Sequence, residues 1–81
     1  MKFISIQDSK GVYNFSVDEV RHYKIFEFKE GRKTKAMVVV QMKPVKFFDF
    51  SEAEVLDKCE SFDFSFEGIG DAMNSLKIIE I

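Results

Sequence analysis

Residues 22–42 read HYKIFEFKEGRKTKAMVVVQM, two runs rich in aromatic and β-branched residues on either side of KEGRK. Such runs favour strands, and a glycine between them, here Gly31, supplies the backbone freedom that a tight reversal requires. The stretch therefore predicts an antiparallel hairpin. Along a strand successive side chains point to opposite faces. Tyr23 falls on one parity and Phe26 and Phe28 on the other, so the three aromatics cannot all be buried on one side. Aromatic surface then stays exposed on one face, and exposed aromatics are favoured anchors for protein contacts. Tyr23, Phe26 and Phe28 are the candidates this reasoning selects.

Downstream of the hairpin, Lys43-Pro44 ends the second run, because proline has no amide to donate to a ladder. VKFFDF, residues 45–50, adds another strand. Upstream, MKFISIQ alternates in the manner of a strand and closes on the turn-forming DSKG. VYNFSVDEV reads as a short strand followed by a turn, although SVDE also has the Ser-x-x-Glu spacing that starts helices. A meander of antiparallel strands is the economical arrangement of these pieces.

The last third changes period. SEAEVLDKCESF opens on Ser51 with Glu54 three residues on, a capping box, and sets Val55, Leu56, Cys59 and Phe62 on one side of a predicted helix. SFDFSF alternates Phe62, Phe64 and Phe66 with small or acidic residues, which suits an extended segment or a loop that plugs the core. In GIGDAMNSL, residues 68–76, Ile69, Ala72, Met73 and Leu76 recur at i, i+3, i+4 and i+7. Asp71 lies in the first turn, where the helix dipole favours a negative charge. A second short helix is expected there, and KIIEI is expected as a closing strand. The reading is a single α+β domain over residues 1–81: an antiparallel β-sheet of about four to five strands, with two short helices packed on one side near the C-terminus.

Composition narrows the function. The 81 residues are 46% hydrophobic with ten Phe and no Trp. That is enough apolar area for a small core, since a buried aromatic removes about 150 to 250 Å² from water. Twelve basic and 14 acidic residues nearly cancel, which argues against a broad basic field for nucleic acid and against an acidic nucleic-acid mimic. One cysteine, Cys59, forms no intrachain disulfide. No charged leader with an apolar segment opens the chain, and no apolar run approaches the ~20 residues that span a bilayer. A cytoplasmic protein of a host cell, away from the membrane, is expected.

Chemistry is sparse. His22 and Cys59 each stand alone, so no metal set is expected; His22 reads as a surface or structural residue and Cys59 as a buried small residue on the predicted helix. Asp63, Glu67 and Asp71 read as a solvated acidic rim, with an acid–base pocket or a ligand sponge as the competing use. Gly68 and Gly70 lack the rest of a phosphate-loop pattern, and no serine lies in a GxSxG context. Phe26, Phe28, Phe47, Phe48 and Phe50, interleaved with lysines, have the composition of a stacking platform for single strands. An 81-residue chain has few other residues to build a core from, so most of them are assigned to the core. The expectation is no enzyme and no cofactor.

Four groups of residues occur in one order: Met1-Lys2-Phe3-Ile4; Ile25 and Phe28 ahead of Gly31-x-Lys33-x-Lys35-Ala36; Asp49-Phe50; and Ile69 ahead of Ala72-Met73-Asn74. In that order, and in length, the chain resembles the small type I-F anti-CRISPR proteins, which bind backbone subunits of the CRISPR surveillance complex often called Cascade. The stretch from Ser5 to Tyr23 is longer than in that family. Phe28 stands where the family carries a tyrosine and Val39 where it carries an acid. The resemblance implies a phage or mobile-element inhibitor that binds a bacterial protein complex and blocks target-DNA pairing without catalysis or nucleic-acid specificity of its own. It carries over Phe28 as an interface residue, with Lys33 and Lys35 on the adjacent strand; Tyr23 and Phe26 rest on the aromatic argument alone. The alternative is a small accessory or regulatory domain that acts on another host machine.

Overall fold

The VVV run of the opening hairpin sits at the centre of a sheet. In the computed structural model, which describes residues 1–49 and 54–81 and the side chains of residues 1–46 and 58–81, strand β3 (Val20–Glu30) pairs antiparallel with β4 (Lys33–Met42). Glu30 lies opposite Lys33, so the turn consists of Gly31 and Arg32 alone. Gly31 has φ 63°, the left-handed conformation that primed two-residue turns require at this position. Burial along β4 follows the two-residue period. Ala36, Val38 and Val40 are completely buried, while Lys35, Met37, Val39 and Gln41 are half-buried.

The ends of the chain build a second sheet. Strand β1 (Lys2–Asp8) is its middle strand, between β2 (Gly11–Ser16) and β8 (Leu76–Glu80), both antiparallel to it. The DSKG turn is closed by Asp8, whose Oδ1 accepts hydrogen bonds from the amides of Lys10 at 2.8 Å and Gly11 at 3.1 Å. Asp/Asn side chains hold turns in this way because they reach their own backbone two residues on. After β2, Val17–Glu19 forms one short 3-10 turn; Ser16 makes no side-chain cap bond to it, so the SVDE box is not built.

The two sheets share one core. Ile4 and Ile6 of β1 join Ala36, Val38 and Val40 of β4, Phe64 and Ala72 in a single buried cluster. Aromatic rings bridge the sheets: Tyr13 and Phe64 have centroids 5.0 Å apart, and Phe15 lies 5.3 Å from Phe62. Helix α1 (Ile69–Ser75) touches both sheets and buries Ala72 completely. The helix expected in GIGDAMNSL, the closing strand and the extended form of SFDFSF, here β7 (Ser61–Phe66), are all present.

Three expectations are corrected. The helix expected from Ser51 does not form over its described part: β6 (Glu54–Lys58) is a strand, antiparallel to β5 (Val45–Asp49), and Ser51 lies outside the described residues. The helical spacing counted Val55, Leu56, Cys59 and Phe62, but Phe62 belongs to β7. In the observed register residue 47 lies opposite residue 56 and residue 48 opposite residue 55.

The second correction concerns order. VKFFDF does not extend a meander beside β4; β5 and β6 form their own two-stranded sheet, and β7 takes the place next to β4, giving the order β3-β4-β7. The third follows from both. The fold is α+β and mostly antiparallel sheet, but the described residues hold eight strands in place of about four to five, and one α-helix in place of two. Among the described residues, no helix is long and apolar enough to cross a membrane.

Candidate protein-binding face

Residues directly opposite one another in an antiparallel pair project to the same face. On the inner face of the β3-β4-β7 sheet, Ile25, Val38 and Phe64 form one row across the strands. The neighbouring row on the outer face is Phe26, Met37 and Ser65, and the row beyond it is Lys24, Val39 and Asp63. Phe28 and Lys35 form a further row, followed by Glu30 and Lys33 at the turn. None of these outer side chains is buried.

Four of the five candidate residues therefore come together. Phe26, Phe28, Lys33 and Lys35 share the outer face of the hairpin. Tyr23 does not join them: it lies opposite Val40 on the inner face, beyond the cover of the core, and is 44% exposed. Phe26 is 36% exposed and Phe28 half-buried, so neither is a core residue. Both rings stand on β3, an edge strand whose ladder partner is β4.

Three further residues complete the face. Met37 and Val39 extend the apolar strip onto β4, and Lys24 places its ammonium 5.2 Å from the centroid of the Phe26 ring. This is a cation–π distance. Lys35 reaches Glu30 Oε2 at 3.2 Å, a pair made of one half-buried and one exposed group. Once the turn is known to be Gly31-Arg32, the pairing of Glu30 with Lys33 sets the pairs of Met37, Val39 and Lys24 by counting outward, as far as His22 with Gln41, beyond which the register shifts before Val20.

Charge is distributed unevenly along the chain. Residues 20–43 carry seven of the twelve basic residues and two of the fourteen acidic ones, a net charge of +5 against −7 for the rest. Near-neutral totals concealed this segregation. The hairpin also runs past its neighbour: β7 pairs with β4 only from Ala36 to Gln41, which leaves the turn end, with Lys29, Arg32, Lys33 and Lys35, as a two-stranded projection.

The remaining candidates stay apart from this face or lack convergence. An open cleft of about 820 Å³ is lined by Asp63, Glu67 and Asp71 with Asp8, Lys10 and Lys35. The first three carboxylates are exposed, as a solvated rim requires. No cluster of three or more His, Cys, Asp or Glu able to hold a metal ion occurs among the described residues. His22 is exposed. Cys59 is half-buried just past β6 and not on a helix, with Arg21 Nη1 at 3.9 Å from its Sγ. Comparison of the chain with known protein families, with curated proteins and with solved structures returns no match in any of the three.

Proposed function

We propose that this chain is a non-enzymatic binding protein that docks on a bacterial protein complex through the outer face of β3 and β4. The observation that carries the proposal is the apolar strip of Phe26, Phe28, Met37 and Val39, left accessible on a rigid sheet and bordered by Lys24, Lys33 and Lys35. An apolar centre with a polar, charged rim is the usual anatomy of a protein interface. Aromatic rings held by a ladder lose little conformational freedom on binding, which lowers the cost of association.

The target we propose is a type I CRISPR surveillance complex, and the action is the occlusion of target-DNA recognition by a phage or mobile-element inhibitor. The support is the ordered set of matches to the type I-F anti-CRISPR proteins, whose carried-over positions Phe28, Lys33 and Lys35 fall on this face. The test is a pull-down of a purified type I complex by the tagged chain, with a phage-interference assay in cells that carry the complex. Capture together with lost interference is the expected result. Intact interference and no capture would sink the reading, and co-purification of a different complex would move the chain to the accessory class.

A further inference from the structure

We propose that this chain forms a two-fold dimer in which β3 pairs edge to edge with the β3 of a second copy. The inference goes beyond the binding role of the outer face and does not depend on it. β3 stands at the end of the order β3-β4-β7, so among the described residues its other edge has no strand partner. Proteins ordinarily blunt such an edge by keeping it short, bulged, interrupted by proline or covered. β3 is the longest strand of the described residues, contains no proline, and keeps an unbroken register from His22 to Glu30. None of its residues is buried, although Tyr23, Ile25, Phe26 and Phe28 are large and apolar.

The backbone of this edge is also open to pairing. Glu30 and Lys33 flank a two-residue turn, which makes them a hydrogen-bonded pair, and in an antiparallel ladder such pairs alternate with non-bonded ones. The even-numbered residues from Lys24 to Glu30 therefore face β4 with their amides and carbonyls. Those of Ile25, Glu27 and Lys29 point to the free edge.

The side chains supply the complementarity. A two-fold axis perpendicular to the sheet keeps each residue on its own face, so residues that meet across it have the same parity. The outer-face positions of β3 are, in order, Lys24, Phe26, Phe28 and Glu30, a series complementary to its own reverse. With the axis at residue 27, Lys24 meets Glu30 of the second copy and Phe26 meets its Phe28. Opposite charges and aromatic pairs directly across an antiparallel pair are both stabilising. Each Glu30 then lies between that lysine and Lys35 of its own chain, whose ammonium stands at 3.2 Å.

On the inner face Ile25 meets Lys29, whose aliphatic stem covers it, and Glu27 meets its own copy. Glu27 is exposed, so both carboxylates stay in water and lower the affinity without closing the register. The other free edges of the two three-stranded sheets lack this pattern. β2 has no charged residue, β7 has Asp63 alone, and Lys77 and Glu80 of β8 project to opposite faces. Because the pairing consumes both β3 edges, assembly closes at two copies.

The experiment is sedimentation equilibrium on the whole chain. The pairing uses far fewer than the roughly 20 to 30 residues a side of a stable interface, so half-dimerisation is expected at about 100 µM, within a range of about 5 to 500 µM. Lys24→Glu sets like charges against each other at both ends and is expected to weaken the dimer about ten-fold; Lys24→Glu/Glu30→Lys restores it. Glu27→Gln removes the repulsion at the axis and is expected to tighten the dimer about three-fold. Each variant is first checked for an unchanged urea midpoint.

The register is read by cross-linking in a Cys59→Ser background with diamide as oxidant. Glu27→Cys places two thiols across the axis at a Cα separation of about 5.5 Å, within disulfide reach, and is expected to give a covalent dimer. A chain that stays monomeric at about 500 µM overturns the proposal. So does a dimer that ignores Lys24→Glu and cross-links through Ile78→Cys on β8 in place of Glu27→Cys, since pairing then runs through another edge.

Discussion

Phe26 of β3 lies directly opposite Met37 of β4, on the face of the sheet that carries no buried side chain. One residue along, Ile25 lies opposite the completely buried Val38. The same hairpin thus supplies both the core and the candidate interface, and the two are separated by the pleat alone. Substitutions at alternate positions are expected to have separable consequences.

At the outer row, Phe26→Thr and Met37→Thr keep strand-compatible residues while removing apolar surface. The fold is expected to lose less than about 1 kcal/mol, because neither side chain is buried. Binding to the target is expected to weaken by at least about thirty-fold for the Phe26 change, the loss typical of an aromatic anchor. Urea midpoints beside binding isotherms separate the two effects, and a large loss of stability would contradict the placement of Phe26 outside the core.

Across the sheets, Phe62 and Phe64 belong to one strand and one face yet differ in burial, at 39% and 7% exposed. Phe64→Ala is expected to cost about 3 to 5 kcal/mol, from lost transfer energy and the cavity left behind. Phe62→Ala should cost markedly less, since part of that ring is already in water. Equal losses in paired chemical denaturation curves would refute the packing of Phe64 beneath Tyr13 and Phe15.

In helix α1, Ala72 has no exposed surface and meets the core of both sheets. Ala72→Leu forces about three extra carbons into a filled site and is expected to destabilise by about 1 to 3 kcal/mol. Met73→Leu, the next position, is 62% exposed and should leave the thermal midpoint unchanged.

At the turn, Gly31 holds φ 63° with nothing within 4 Å of where a Cβ would stand. Space is not limiting there, so the cost of a side chain is conformational. Gly31→Ala is expected to lose about 1 kcal/mol and Gly31→Asn less, because asparagine enters the left-handed region more readily. A hairpin that tolerates alanine at no cost would argue for a different turn.

Several parts of this molecule could be read from local pattern. Gly31 between two β-rich runs was sufficient for the hairpin, whereas the two-residue turn, and with it the register that unites Phe26, Phe28, Lys33 and Lys35, came from the structure. Ile69, Ala72, Met73 and Leu76 announced α1 by their spacing, although Met73 is exposed and Leu76 already opens β8. The strand at residues 54–58 escaped because Val55, Leu56, Cys59 and Phe62 satisfy a helical period equally well, and only the pairing of the segment with β5, together with the claim of β7 on Phe62, removes the ambiguity.

By itself the sequence determined which residues alternate, where the chain turns back, and that residues 20–43 are basic within an acidic chain. Those properties depend on neighbours a few positions away, where backbone geometry and composition act directly. Only the tertiary structure decided which face of the hairpin is core. Ile4 and Ile6 of β1, Phe64 of β7 and Ala72 of α1 close over Ala36, Val38 and Val40 from segments at both ends of the chain. That closure leaves Phe26 and Phe28 on the open side, and Tyr23 on the covered side but beyond the reach of the cover. Burial is set by long-range packing, which no period of two or 3.6 residues encodes.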